Sequence, residues 1–236
     1  MIHLELTGVH THYGSSHILS GVGLEVKEGE VVCLLGRNGA GKTTTMRTIM
    51  GLARATRGHI VFNGTELVGR KPYDIARLGV GFVPDERLIF PDLTVRENLE
   101  VAARKGLGAA KFDWTIDKIY DLFPVLRRLD RSMGAYLSGG EQQMLTVGRT
   151  LMGNPLLLLL DEPVEGVAPI VVQELGEKIQ ALKAMGLTIL MAEQNLHFAA
   201  QISDRAYVIE KGQIRFGGTM NELSANAEIK EKYLMI

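Results

Sequence analysis

Three short stretches of this chain carry residues able to handle a nucleoside triphosphate. Gly36-Arg37-Asn38-Gly39-Ala40-Gly41-Lys42-Thr43 fills every position of the phosphate-loop pattern G-x-x-x-x-G-K-[ST], with Thr44 following. In such a loop the glycines let successive backbone N–H groups turn toward phosphate oxygens, Lys42 brings positive charge to the outer phosphates, and Thr43 offers a hydroxyl to Mg²⁺. The apolar run 156–160 ends in Asp161-Glu162. A strand there delivers two carboxylates to the edge at which open α/β sheets bind ligands. Asp161 suits Mg²⁺ through its water shell, and Glu162 suits a base that polarises the water attacking a γ-phosphate. The third stretch, Leu137-Ser138-Gly139-Gly140-Glu141-Gln142-Gln143, opens a helix near its glycines. Ser138, the N–H groups exposed at Gly139, Gly140 and Glu141, and the helix dipole make a second phosphate clamp, one that a nucleotide at Lys42 does not need from its own subunit.

These residues need a frame. Residues 30–35 read as a buried strand and 43–52 as a helix with Met46, Ile49 and Met50 on one face, so the phosphate loop meets a helix N-terminus. Runs 2–9, 22–27 and 58–63 read as strands of a small flanking sheet. Thr94-Val95-Arg96-Glu97 has the form of a capping box, and 95–105, 113–123 and 139–152 carry apolar residues at helical spacing. From 156 onward strand and helix alternate over 156–160, 170–185, 187–192, 196–202 and 206–209, the order of a parallel sheet with crossover helices. The stripe Val171, Leu175, Ile179, Leu182 reads as a core face.

A chain of 236 residues buries a substantial core as one α/β domain with room for an inserted subdomain. Lys plus Arg (26) nearly balance Asp plus Glu (27), which argues against a nucleic-acid footprint or a strongly basic membrane surface. The first residues lack a secretory signal pattern, and the run 156–160 is far too short to span a bilayer, so an intracellular, soluble chain is expected. The single cysteine, Cys33, sits in the strand before the phosphate loop and is expected to be a core thiol.

The ordered set of phosphate loop, Leu-Ser-Gly-Gly-Glu and Asp-Glu strand resembles the ABC-type ATPases over nearly the whole chain. The resemblance implies an α/β P-loop NTPase of ABC type with a RecA-like core, a small antiparallel β subdomain and a helical subdomain. It implies one domain over 1–236, with 1–89 and 153–236 forming the core and β subdomain and 90–152 the helical subdomain. It further implies ATP and Mg²⁺ as cofactors and head-to-tail pairing with a second such ATPase, whose ATP the signature Ser138–Glu141 closes upon. Tyr13 falls where the family places an aromatic against adenine, and stacking there or packing on a strand edge both suit it. Val83-Pro84-Asp85 matches the Gln loop with Asp85 in place of glutamine, so Asp85 is counted with the catalytic and Mg²⁺-facing groups while donating no hydrogen bond. Gln194 stands where relatives carry the switch histidine, and His197 is assigned to the following helix. Glu165-Gly166-Val167-Ala168 replaces the family's Ser-Ala-Leu-Asp.

Asp85, the signature Leu137–Leu145, Gly166-Val167-Ala168-Pro169 and Ala192-Glu193-Gln194-Asn195 resemble the ATPase subunits of branched-chain amino acid importers and their urea or short-chain amide relatives. That branch implies membrane permeases as partners, met near Asn98-Leu99 and 90–125, where apolar residues could equally be core, an extracytoplasmic substrate-binding protein acting indirectly, and a place on the inner face of the cell membrane. A lipid or lipopolysaccharide exporter and a soluble, non-transport ATPase are the alternatives.

Overall fold

The computed structural model describes residues 1–103 and 112–234. The chain opens with two long antiparallel strands, β1 (Ile2–Tyr13) and β2 (Ser16–Lys27), then runs through β3 (Val31–Leu35) into α1 (Lys42–Ile49). Next come β4 (Ala55–Phe62), β5 (Thr65–Glu66), α2 (Pro72–Arg77) and β6 (Val80–Val83). The helices α3 (Val95–Glu100), α4 (Ile116–Leu122), α5 (Pro124–Arg128) and α6 (Gly139–Leu151) follow. The chain returns through β7 (Leu157–Asp161), α7 (Pro169–Ala184), β8 (Thr188–Glu193), α8 (Leu196–Ile202), β9 (Arg205–Glu210) and β10 (Gln213–Thr219), followed by α9 (Met220–Ala225), α10 (Ala227–Ile229) and a π-helical turn over Lys230–Leu234.

Two sheets result. One is antiparallel, in the order β2-β1-β4-β5. The other runs β10-β9-β3-β8-β7-β6 and is parallel throughout except for the β9–β10 edge pair. Its central strands are buried on both faces, and the strand period of two sorts their side chains. Val31, Cys33, Leu35, Leu158, Leu160, Ile189 and Met191 join the core that holds α3 to α8. Val32, Leu34, Leu157, Leu159, Leu190 and Ala192 join a second core with α1 and the antiparallel sheet. Cys33 is fully buried, and burial pushes its thiol well above the ordinary value, as a core thiol requires. Leu175, Ile179 and Leu182 are buried and Val171 packs beside them, so the α7 stripe is a core face.

Several elements differ from the sequence expectation. The first strands extend to Tyr13 and begin again at Ser16, because Gly8 and Gly14 absorb positive φ (57° each) within and after β1 rather than ending the ladder. The expected helix over 95–105 stops at Glu100 with Val101 as its C-cap, and 104–111 lie outside the described residues. The helix expected over 113–123 begins only at Ile116. Asp113 has left-handed φ (44°), and Thr115 caps the helix by accepting from the Lys118 N–H. Pro124 then starts a separate helix by forcing Phe123 out of helical geometry. Strand β6, helix α2 and the closing hairpin partner β10 had no sequence reading.

Candidate nucleotide site

The phosphate loop joins β3 to α1, and two of its glycines are required by close approach. A Cβ on Gly36 would lie 2.6 Å from the Ile209 carbonyl oxygen, and Gly41 combines φ of 112° with a Leu19 methyl 2.9 Å from where its Cβ would be. Gly36 N–H donates to Glu193 O (3.2 Å) and Gly212 N–H to Ala40 O (2.8 Å), which pins the loop to β8 and to the β9–β10 turn. Gly39, Gly41, Lys42, Thr43 and Thr44 line a cavity of about 240 Å³ at the N-terminus of α1, where first-turn amides have no intrahelical acceptor.

Lys42 folds back over the loop, donating to Gly36 O (2.8 Å) and Arg37 O (3.1 Å), and its Nζ lies 3.0 Å from Glu162 Oε1. Thr43 Oγ1 donates to Asp161 Oδ1 (3.1 Å). Adjacent parallel pairing of β7 with β8, and of β8 with β3, brings the ends of all three strands to one sheet edge. Asp161 is fully buried and its Oδ2 has no hydrogen-bond partner among the described residues. Burial, with the neighbouring Asp85 and Glu162 charges, pushes its carboxyl up to about 7 against the Thr43 hydrogen bond. Glu162 holds left-handed φ (45°), an uncommon backbone for this residue that aims its side chain at Lys42.

Asp85 follows β6 and is more exposed. Arg47 of α1 reaches it at 3.9 Å and its neighbour Glu86 at 2.7 Å, while burial and a hydrogen bond to Glu86 push the Asp85 carboxyl up. Gln194 follows β8 and lines a cavity of about 350 Å³ with Gly36, Arg37, Asn38 and Leu234, on the phosphate-loop side. His197 lies on α8, exposed and paired with Gln201 (3.1 Å). Tyr13 ends β1 with its ring half exposed, beside the hairpin whose Leu19 touches the phosphate loop.

The signature is built on its own helix cap. Ser138 caps α6 in a full capping box: Glu141 N–H donates to Ser138 Oγ, and Ser138 N–H and Oγ both donate to Glu141 Oε2 (2.7 Å each). Among the described residues, no hydrogen bond or ion pair joins Ser138, Gly139, Gly140 or Glu141 to the phosphate loop. Gly140 is a glycine because Val171 would lie 2.8 Å from its Cβ.

Arg47 and Arg87 have no place in the sequence reading, and Glu165 and Glu193 enter it only within the stretches 165–168 and 192–195, with no role of their own. Glu193 is buried at the end of β8, accepts from the Gln194 and Asn195 N–H groups, and is pushed up to about 7 by burial. Glu165 hydrogen-bonds Glu162, which raises the Glu165 carboxyl. No local pattern marks what these four side chains meet, since that is set across the fold.

A phosphate loop on a strand-helix junction, faced by a buried Asp-Glu strand end, defines a P-loop nucleotide-binding ATPase. The family model described as ABC transporter matches residues 19–165. The chain belongs to the ABC transporter ATP-binding family, whose members bind and hydrolyse ATP to drive transport. It is 43% identical to the high-affinity branched-chain amino acid transport ATP-binding protein BraG of Pseudomonas aeruginosa, over 98% of this chain and 99% of that one. It is 36% identical to the probable branched-chain amino acid transport ATP-binding protein LivF of Archaeoglobus fulgidus, over 89% of each. It is also 36% identical to the lipopolysaccharide export system ATP-binding protein LptB of Haemophilus influenzae, over 94% and 92%. Among solved structures, a nucleotide-free ATP-binding cassette from an ABC transporter superposes with a TM-score of 0.84 at 26% identity, covering 100% of this chain and 99% of that one. The ADP conformation of the MJ1267 cassette gives 0.80 at 28% identity, covering 95% and 94%.

Proposed function

We propose that this chain is the ATP-hydrolysing subunit of an importer for branched-chain amino acids. The observation that carries the substrate class is end-to-end similarity to BraG at 43% identity. In this reading 1–89 and 153–236 form the core with its β subdomain, and 90–152 form the helical subdomain. Lys42, the loop 36–44 and the first-turn amides of α1 bind the triphosphate, with Tyr13 on adenine. Thr43 and Asp161 suit Mg²⁺, since Asp161 keeps one buried oxygen without a partner. Bound there, Mg²⁺ would neutralise phosphate charge. No three His, Cys, Asp or Glu side chains among the described residues could hold a metal by themselves, which fits an ion brought in with the nucleotide. Glu162 accepts the proton of the attacking water, and Gln194 and Asp85 border the γ-phosphate.

Two such chains, or this one and a second ATPase, pair head to tail. The signature's polar groups are paired within their own capping box and none of them bonds the phosphate loop among the described residues, which supports that reading. Among the described residues no helix is long and apolar enough to cross a membrane, so force must pass to permease partners. A cleft of about 350 Å³ between β6 and the end of α3, lined by Met50, Phe82, Val101 and Ala102, is suited to receive them on the cytoplasmic face. A substrate-binding protein on the far side completes the assembly.

Uptake in a strain lacking this chain tests the proposal. Loss of labelled leucine, isoleucine and valine uptake with urea uptake intact is expected. Normal amino acid uptake with lost urea uptake, or with a lipopolysaccharide export defect, would sink the assignment in favour of the amide importer or the LptB-like exporter.

A further inference from the structure

The segment after β6 is anchored on both sides of the molecule. Toward the phosphate loop, Arg47 of α1 holds Glu86 and Asp85. Toward the helices, buried Asn98 of α3 accepts from the Phe90 N–H and donates to Phe90 O (2.9 Å each). Arg149 of α6 donates to Leu88 O and stacks over the Phe90 ring, 4.9 Å from its centroid. Arg87 stands between these anchors with left-handed φ of 45°.

Its guanidinium reaches away from both. Nη2 donates to Glu165 O (2.7 Å), three residues beyond Glu162, and Nη1 sits so close to Gly139 that a Cβ there would be 2.6 Å from it. The Arg87 guanidinium therefore rests against the first signature glycine, and any side chain at 139 would have to displace it. A cation at a helix N-terminus is opposed by the helix dipole, and the left-handed backbone is unfavourable for arginine. Neither feature would favour this placement locally; the bond to the Glu165 carbonyl does.

We propose that Arg87 is a positioning residue that locks the loop carrying Glu162 to the signature turn of the same subunit. The carboxylate acting on one ATP and the clamp closing on the partner's ATP are then set as one rigid unit. The inference rests on the head-to-tail reading above. Arg87 itself touches neither nucleotide.

The test uses the full chain carrying Arg87→Ala or Arg87→Lys. In Arg87→Ala the ATP affinity of the monomer should stay within about twofold, while kcat falls about tenfold or more, the worth of one charge-assisted hydrogen bond. Adding Arg87→Ala to Glu162→Gln should weaken the ATP-driven dimer by a similar factor. Arg87→Lys, which can still donate to the Glu165 carbonyl, should recover most of both. Wild-type kcat in Arg87→Ala, or a lowered kcat with the Glu162→Gln dimer unaffected, overturns the proposal. If Arg87→Ala does not fold, Arg87→Met, which keeps the stem and removes the donor, carries the same expectations and the same overturning results. Absence of an ATP-driven dimer in Glu162→Gln alone would instead overturn the head-to-tail reading on which it rests.

Discussion

The Lys42 ammonium lies 3.0 Å from the Glu162 carboxylate, and only 2% and 9% of the two side chains is exposed. The cation suited to the γ-phosphate and the carboxylate suited to the attacking water thus hold one another. On the proposed roles, an incoming phosphate would compete with Glu162 for the same ammonium and free the carboxylate to face water.

Lys42→Ala should weaken ATP binding at least about a hundredfold, since a buried charged partner of the phosphates is lost. Calorimetric titration measures it. The variant also leaves Glu162 without its counter-charge, which costs stability on the order of 3 kcal/mol, so thermal unfolding must be followed beside it. Wild-type affinity in a folded Lys42→Ala chain would refute the assignment.

Glu162→Gln removes the competing negative charge but keeps the shape. ATP affinity should be retained or rise, while hydrolysis falls by about a hundredfold or more through loss of the base. Light scattering after size exclusion should then show an ATP-dependent dimer. Unchanged turnover would rule Glu162 out as the base.

Gln194 lines the cavity beside Gly36 and Asn38, whereas His197 is exposed on α8 against Gln201. Gln194→Ala should lower the ATPase rate by a similar factor at every pH, and His197→Ala should leave rate and pH profile unchanged. The reverse pattern in a pH series of both variants would move the switch role to His197.

Glu193 is buried with its folded value raised to about 7 from 4.5. Between those values the folded chain holds a proton that the unfolded chain has released, so this group's contribution to stability declines as pH rises from about 4.5 through 7. Glu193→Gln keeps an acceptor for the Gln194 and Asn195 N–H groups without the charge. It should stabilise the chain by about 1–3 kcal/mol at pH 8 and by little at pH 4.5, as read from chemical unfolding at both. Equal effects at the two pH values would contradict a buried, protonated Glu193.

Asn98 is wholly buried, donates to Phe90 O, Leu93 O and Thr94 O, and accepts from Phe90 N–H. Asn98→Ala strands these backbone groups and should cost about 2–4 kcal/mol in urea unfolding. A loss under about 0.5 kcal/mol would show that other partners satisfy them.

The phosphate loop, the Asp161-Glu162 strand end and the Ser138 helix start were legible because each is local. A turn that needs glycine, a strand that needs an unbroken apolar run and a helix that needs a cap all declare themselves within a few residues. β6 was not legible, since Val80-Gly81-Phe82-Val83 is short and interrupted by a glycine whose Cβ would strike Pro155 and Thr150. The start of α4 was missed because helical spacing over 113–115 is overridden by the left-handed turn at Asp113.

The sequence by itself determined which residues can cradle a triphosphate and in what order along the chain they come, because side-chain chemistry and local backbone preference need no distant partner. Only the tertiary structure decided that Lys42 meets Glu162 and that Arg87 meets Glu165 and Gly139. Those pairings follow from the strand order β9-β3-β8-β7-β6 and from the helices packed on its faces. Such long-range closures are set by how the whole apolar surface is buried, a sum over the chain that no short segment carries.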